Sequence, residues 1–194
     1  MKKRAEHAGE RAGRARDRSR ALTIMTIDFE ASCLPRHGRS FPIEVGIAGD
    51  GVARSWLIRP HADWADWDWT AEAEALHGLS RERIMHEGQT VDIVLAELVA
   101  AVAGQRVVAD SLIDQYWLDT LASAAGAASP FRIDHVASLF DEQGADEQRV
   151  ADAVAHADAQ GVVRHRAAGD ALWLSALISR LTGVVRVPVL VAAQ

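Results

Sequence analysis

The order of apolar and polar positions predicts strands in the first third of the chain. Residues 22–31 predict a buried strand, because they open with the largely apolar run 22–27. Two further runs, 43–48 and 52–58, flank the segment Gly49-Asp50-Gly51, which is a turn sequence favoured in β-hairpins. The chain is therefore expected to open with one strand followed by a hairpin.

From residue 70 onward the apolar positions recur mainly with the period of a helix. Short helices are predicted after Thr70 and after Ser80, because both side chains can cap a helix N-terminus. A longer helix is predicted between Thr90 and Gly104, with apolar residues at helical spacing: Val91, Val94, Leu95, Leu98, Val99 and Val102.

The second half alternates between strand and helix. Residues 106–109 predict a fourth strand, and the next helix ends near Gly126 after an apolar face formed by Ile113, Trp117, Leu118 and Leu121. A fifth strand is predicted at 131–133, and the remaining helices are expected at 134–142, 146–159 and 168–182. This order indicates an α/β fold with a mixed sheet of about five strands, including an N-terminal hairpin, flanked by α-helices.

Composition suits one globular domain. The chain has 194 residues, of which 49% are hydrophobic and 25% charged, as in an ordinary soluble protein. We expect a domain over 22–183, a basic and disordered leader over 1–21, and a β-like tail over 184–194; a natural start at Met25 stays an open alternative. No apolar run is long enough to span a bilayer, so no membrane partner is expected.

Charge is distributed unevenly along the chain. Residues 1–20 contain eight Lys or Arg and three acids, a net charge of +5, which leaves −11 for residues 21–194. An acidic domain argues against nonspecific binding of duplex nucleic acid through a basic face, but it suits a site that binds metal through its own carboxylates. Cys33 is the single cysteine, which excludes an internal disulfide and favours a cytoplasmic location.

Acidic residues stand at strand ends and helix starts, where an open α/β sheet gathers ligand groups. Asp28 and Glu30 are two residues apart on the first strand and so point to the same face. Asp114 opens the helix after the fourth strand, and Asp170 opens the last helix, five residues after His165. Five residues correspond to about 500° of helix rotation, so His165 is expected on the segment before that helix. Taken singly, each of these residues is more often structural than functional.

Read together, the segments 27–32, 107–114 and 165–170 resemble the three exonuclease motifs of the DEDD superfamily, in the subclass that uses histidine. That superfamily includes proofreading exonuclease subunits, ribonuclease T and oligoribonuclease. Residues 71–80 also resemble a Leu-His-Gly segment common in the family. The tyrosine subclass has Tyr four residues before the last Asp, where this chain has Arg166, so the histidine subclass is the better match.

The resemblance implies a ribonuclease-H-like fold and a metal-dependent 3′→5′ exonuclease that releases nucleoside monophosphates from single-stranded DNA or short RNA. Two Mg²⁺ or Mn²⁺ ions about 3.5 to 4 Å apart would activate water and stabilise the leaving oxygen. It implies four carboxylate ligands, Asp28, Glu30, Asp114 and Asp170, with Asp28 bridging. His165 would be the general base.

Weaker candidates for substrate contacts surround these motifs: Phe29, Ser32, Leu76, His77, Leu79 and Asp110. Asp110 stands where the family commonly has Asn, which adds an acid near the site. Asp119 is a rival of Asp114 for the ligand role, but its position further into the helix is less suitable. Three tryptophans could stack on bases, although a packed loop is the simpler interpretation: Trp64, Trp67 and Trp69.

Two other functions stay open. One is a catalytically silent nucleic-acid-binding or protein-binding module with the same fold, which the intact acidic set argues against, because packing does not require it. The other is a phosphodiesterase for small nucleotides or dinucleotides, which a short groove would favour. The sequence does not choose between DNA and RNA, because recognition of the 2′-hydroxyl depends on groove geometry. A homodimer also stays open.

Overall fold

The computed structural model describes residues 24–49 and 52–183. Within them, five strands form one mixed sheet in the order β3-β2-β1-β4-β5. The strands are β1 (Ile24–Ala31), β2 (Pro42–Gly49), β3 (Val52–Leu57), β4 (Arg106–Ala109) and β5 (Ile133–His135). β2 pairs antiparallel with both β1 and β3, whereas β4 runs parallel to both β1 and β5. The predicted α/β class and hairpin are confirmed; the predicted leader and tail lie outside the described residues.

Helices flank this sheet. In the described ranges they are α1 (Ala71–His77), α2 (Arg81–Glu87), α3 (Val91–Val102), α4 (Ile113–Ala124), α5 (Ala137–Glu142), α6 (Glu147–Asp158) and α7 (Ala167–Thr182). Thr70 and Ser80 cap α1 and α2 as predicted, each hydroxyl accepting a backbone N–H bond. Thr90 stands at the N-cap of α3, where its side chain makes no capping hydrogen bond.

The fifth strand and the helix after it lie further along the chain than predicted. The strand covers 133–135 instead of 131–133, because Ile133, Asp134 and His135 pair with β4. The following helix therefore begins at Ala137 rather than at 134.

Apolar side chains cover both faces of the sheet. One cluster joins β1 and β2 to α3 and α4, and another joins β4 to α5, α6 and α7. Trp64 belongs to the first cluster, where it is 2% exposed and stacks on Phe41 with ring centroids 5.4 Å apart. This confirms the packed-loop interpretation for Trp64. No helix among the described residues is long and apolar enough to cross a membrane.

The start of α7 lies directly against β2. Gly46 makes this approach possible, because a Cβ at that position would lie 2.2 Å from the carbonyl carbon of Ala167 and 2.3 Å from the nitrogen of Ala168. The contact between β2 and α7 brings the segment around His165 to the end of the sheet where β1 carries its two acids.

Candidate metal centre

Five carboxylates meet at the carboxyl ends of β1 and β4. These two strands are parallel neighbours, so the β1 acids Asp28 and Glu30 lie close to Asp110, which directly follows β4. The first turns of α4 and α7 add Asp114 and Asp170. The four predicted ligands are therefore brought together, and Asp110 lies with them.

The five acids form two groups of three within the described part of the chain. One group contains Asp28, Glu30 and Asp170, and the other contains Asp28, Asp110 and Asp114; in each, one oxygen per residue lies within 4.8 Å of the others. Asp28 belongs to both groups. Carboxylate oxygens in such clusters are the ligands that Mg²⁺ and Mn²⁺ prefer.

Asp114 is buried, and one of its two carboxylate oxygens has no hydrogen-bond partner among the described residues. Its side chain is 1% exposed, and Oδ1 accepts a 3.2 Å hydrogen bond from the backbone N–H of Phe29. Oδ2 is buried and accepts no hydrogen bond from any described residue. An unpaired buried carboxylate oxygen is costly, and a bound cation would remove that cost. The competing Asp119 is exposed and bonds to Gln115 at 2.8 Å, away from the cluster.

The electrostatics of the cluster point to missing positive charge. Burial, and then the carboxylate of Asp114, raise the pKa of Asp28 well above its usual range. Burial, with Asp170 and Glu44 nearby, raises the pKa of Glu30 to about 8. Burial also raises the pKa of Asp114, and partial loss of solvent, followed by the carboxylate of Asp170, raises the pKa of Asp110. Divalent cations would supply the charge that keeps these groups ionised, and the donor set fits them.

His165 lies on the segment before α7, as expected from its spacing to Asp170. Its side chain is exposed, and its backbone N–H donates a 2.8 Å hydrogen bond to Asp170 Oδ2. Its φ of +60° is in the left-handed region, which a non-glycine residue adopts at some cost. Arg164 Nε donates to the other oxygen of Asp170, and its guanidinium lies 4.3 Å from the ring centre of Trp173.

An ion pair between the buried Glu44 and the partly exposed Arg166 was not predicted. Glu44, which is 1% exposed, stands opposite Glu30 in the pairing of β1 with β2 and accepts two hydrogen bonds from Arg166. It also accepts from Ser55 Oγ at 2.9 Å and from the backbone N–H of Ala167 at 3.2 Å. The available sequence signal was a single acid inside the apolar segment 41–48.

The substrate candidates have different surroundings. A pocket of about 160 Å³ lies beside Glu30, and Phe29, Leu76 and His77 line it together with Trp117. Leu76 is 57% exposed, whereas Phe29 and His77 are buried.

Ser32 and Leu79 are both 0% exposed. Ser32 Oγ accepts a 3.1 Å hydrogen bond from the backbone N–H of Phe41, and Leu79 belongs to the apolar core. A substrate contact is therefore not proposed for these two residues, because their side chains are enclosed by the protein.

No family model matches the sequence, and no curated protein is significantly similar to it. Solved structures share its fold. A 3′-exonuclease with 3′-end-specific recognition of a histone mRNA stem-loop is 12% identical, with a TM-score of 0.65 over 94% of this chain and 73% of that one. A full-length 3′-exonuclease is 13% identical, with a TM-score of 0.62 over 84% of this chain and 82% of the other. The zinc-bound complex of E. coli exonuclease I with single-stranded DNA is 12% identical, with a TM-score of 0.58, over 82% of this chain but 40% of that enzyme. The chain thus has the ribonuclease-H-like α/β fold of these exonucleases.

Proposed function

We propose that this protein is a metal-dependent 3′→5′ exonuclease that removes nucleoside monophosphates from single-stranded DNA or short RNA. The observation that carries the proposal is that two groups of three acidic residues share Asp28. Such a pair suits two divalent ions, which when bound would lower the pKa of a water molecule and stabilise charge on the scissile phosphate. Glu30 and Asp170 would complete one site, and Asp114 would contribute to the other. The fold shared with 3′-exonucleases supports the same function.

His165 is the proposed general base. Its hydrogen bond to Asp170 fixes its backbone beside a metal ligand, while its exposed imidazole is free to reach a substrate. The imidazole would accept a proton from water as the water oxygen bonds to phosphorus, and the bond from phosphorus to the 3′-oxygen of the preceding nucleotide would break. The products are a nucleoside monophosphate and a strand that is shorter by one nucleotide.

The pocket beside Glu30 suits the terminal nucleoside. Phe29, Leu76 and Trp117 offer apolar surface on which a base could pack. His77 adds a polar group: its Nδ1 accepts a 3.0 Å hydrogen bond from the backbone N–H of Leu79, so Nε2 carries the ring proton. Nε2 is itself buried, so His77 contributes to the wall of the pocket and does not present a free donor to the substrate.

A product assay tests the proposal. Single-stranded DNA, single-stranded RNA and a dinucleotide, each labelled at the 5′ end, are incubated with Mn²⁺ or with a chelator. The wild type and an Asp119→Asn control should shorten the strands from the 3′ end in Mn²⁺, whereas Asp28→Asn and the chelated protein should not.

Other outcomes would replace the proposal. Cleavage of the dinucleotide alone would favour a small-substrate phosphodiesterase. Strand binding without cleavage would favour a silent binding module. Full activity of Asp28→Asn would contradict the assignment of the metal centre.

A further inference from the structure

Asp110 belongs to the second group of three acids, and the proposed function has so far given it no role. It directly follows β4, and its side chain is exposed. One of its oxygens nevertheless lies within 4.8 Å of oxygens of Asp28 and Asp114. In this group of three acids, Asp110 is exposed whereas Asp114 is buried.

The two groups of three acids differ in how their negative charge is balanced. The first contains Asp28, Glu30 and Asp170, and the second contains Asp28, Asp110 and Asp114. In the first group, Asp170 is paired with Arg164, and the guanidinium of Arg166 acts on Glu30 from its position against Glu44. In the second group, neither Asp110 nor Asp114 occurs in any ion pair formed among the described residues. The guanidinium of Arg164, which pairs with Asp170, also favours the charged form of Asp110. The second group therefore differs from the first in that Asp110 and Asp114 have no ion pair among the described residues.

The unused oxygen of Asp114 points independently to a ligand in this group. Asp114 is 1% exposed, Oδ1 is occupied by the backbone N–H of Phe29, and Oδ2 is buried without a partner among the described residues. A buried carboxylate oxygen without a hydrogen-bond partner is available to coordinate a cation.

We propose that Asp110 is a direct ligand of the second divalent ion, together with Asp28 and Asp114, and that this ion binds before any substrate. The inference rests on the proposed function, which requires two ions. Sites for Mg²⁺ that offer one or two carboxylates usually borrow oxygens from substrate phosphates. A third carboxylate makes the second site independent of that contribution, so the protein would carry both ions in the absence of nucleic acid.

Mn²⁺ binding without nucleic acid tests this inference by calorimetric titration and electron paramagnetic resonance. The wild type should bind two Mn²⁺ ions, with a spectrum broadened by their proximity. Asp110→Asn and Asp110→Ala should bind one ion tightly, with the second site weakened by about 100-fold or more, and should show the spectrum of an isolated ion. Asp119→Asn, which removes the same charge from an exposed position, should behave as the wild type.

The result that overturns the inference is two unchanged sites in both Asp110 variants, or a single ion in the wild type. Circular dichroism of each variant should match the wild type, because Asp110 is exposed and contributes little to packing. The strand-shortening assay is run in parallel. If the wild type cleaves strands while the Asp110 variants keep both ions, the inference fails and the exonuclease proposal stands. If the wild type neither binds Mn²⁺ nor cleaves, both fail.

Discussion

Arg166 and Glu44 form a two-pronged ion pair across the junction of α7 and β2. Arg166 Nε and Nη2 donate to the two carboxylate oxygens of Glu44 at 2.9 and 2.8 Å, and the backbone N–H of Ala167 donates to the same carboxylate. Arg166 immediately follows His165, so the ion pair fixes the segment that carries the proposed base. Because Glu44 stands opposite Glu30, the same guanidinium also lowers the pKa of Glu30 against the effect of burial.

Arg166→Met should destabilise the protein more than Glu44→Gln. The first change leaves the buried Glu44 carboxylate without its cation, which costs about 3 to 5 kcal/mol, whereas the second leaves a guanidinium that still reaches solvent. The double variant should recover part of the loss. Urea denaturation of the four proteins measures the coupling. If the two single variants lose equal amounts of the free energy of unfolding and the double variant loses their sum, the two side chains act independently.

The metal-free protein should become less stable as the pH rises from about 4.5 to about 8. The pKa of Glu30 is raised from 4.5 to about 8 by folding, so the native state binds more protons than the unfolded state in this interval. The free energy of unfolding then falls by about 1.4 kcal/mol per pH unit for each such carboxyl. Denaturation in chelator at several pH values measures the slope.

Saturating Mn²⁺ should flatten or reverse this dependence of the free energy of unfolding on pH, because bound metal displaces the protons of the carboxyl groups. For the same reason, the apparent affinity for Mn²⁺ should rise with pH until about pH 8. A metal-free stability that is constant over the interval would contradict the charge balance described for the cluster.

Asp114→Asn should separate stability from metal binding. In the metal-free protein it removes an acid whose ionisation is disfavoured by burial, and the amide can donate to the nearby carboxylates while its oxygen keeps the bond from Phe29. The free energy of unfolding should therefore rise by about 1 to 3 kcal/mol at pH 8. The increase in Tm caused by Mn²⁺ should be lost or strongly reduced. A destabilised variant that still gains stability from Mn²⁺ would assign Asp114 a structural role.

Much of the fold could be predicted from the sequence because local patterns and tertiary structure agree. The turn Gly49-Asp50-Gly51 between apolar runs specified the hairpin, and helical periodicity located α3 and α7. The fifth strand lies two residues later than predicted, because residues 133–135 pair with β4, which is distant in sequence. Short segments of this kind depend on tertiary contacts more than on their own pattern.

The acids of the site could be predicted from their positions at strand ends and helix starts, but their environment could not. Sequence alone does not reveal that the Ser32 hydroxyl accepts a hydrogen bond from the backbone N–H of Phe41. Nor does it reveal that Glu44 on β2 stands opposite Glu30 on β1. Both facts depend on strand register, which places residues side by side that are far apart in the chain. The role of Arg166 likewise becomes visible only when α7 is packed on β2.

His165→Ala should slow turnover by about a hundredfold or more while leaving Mn²⁺ binding nearly unchanged. The imidazole is exposed, and the hydrogen bond to Asp170 comes from the backbone N–H, which alanine retains. His165→Gly is a useful second variant, because glycine adopts the positive φ of this position without cost. Single-turnover kinetics with a labelled strand, compared with calorimetric Mn²⁺ binding, separates the two effects. Normal turnover in both variants would exclude His165 as the base.

Gly46→Ala should impair the site from a distance. Its Cβ would lie 2.2 Å from the carbonyl carbon of Ala167, so the start of α7 must move away from β2, at a cost of about 1 to 3 kcal/mol or more. Moving this helix displaces Asp170 from the acids of β1, and both Mn²⁺ affinity and turnover should fall. Gly49→Ala is the matched control on the same strand, because the nearest atoms to its Cβ would be in the flexible side chain of Met25, at 3.0 Å, followed by the backbone oxygen of Ile24 at 3.5 Å. Comparable effects of the two substitutions would show that loss of glycine in β2, rather than the displacement of α7, is responsible.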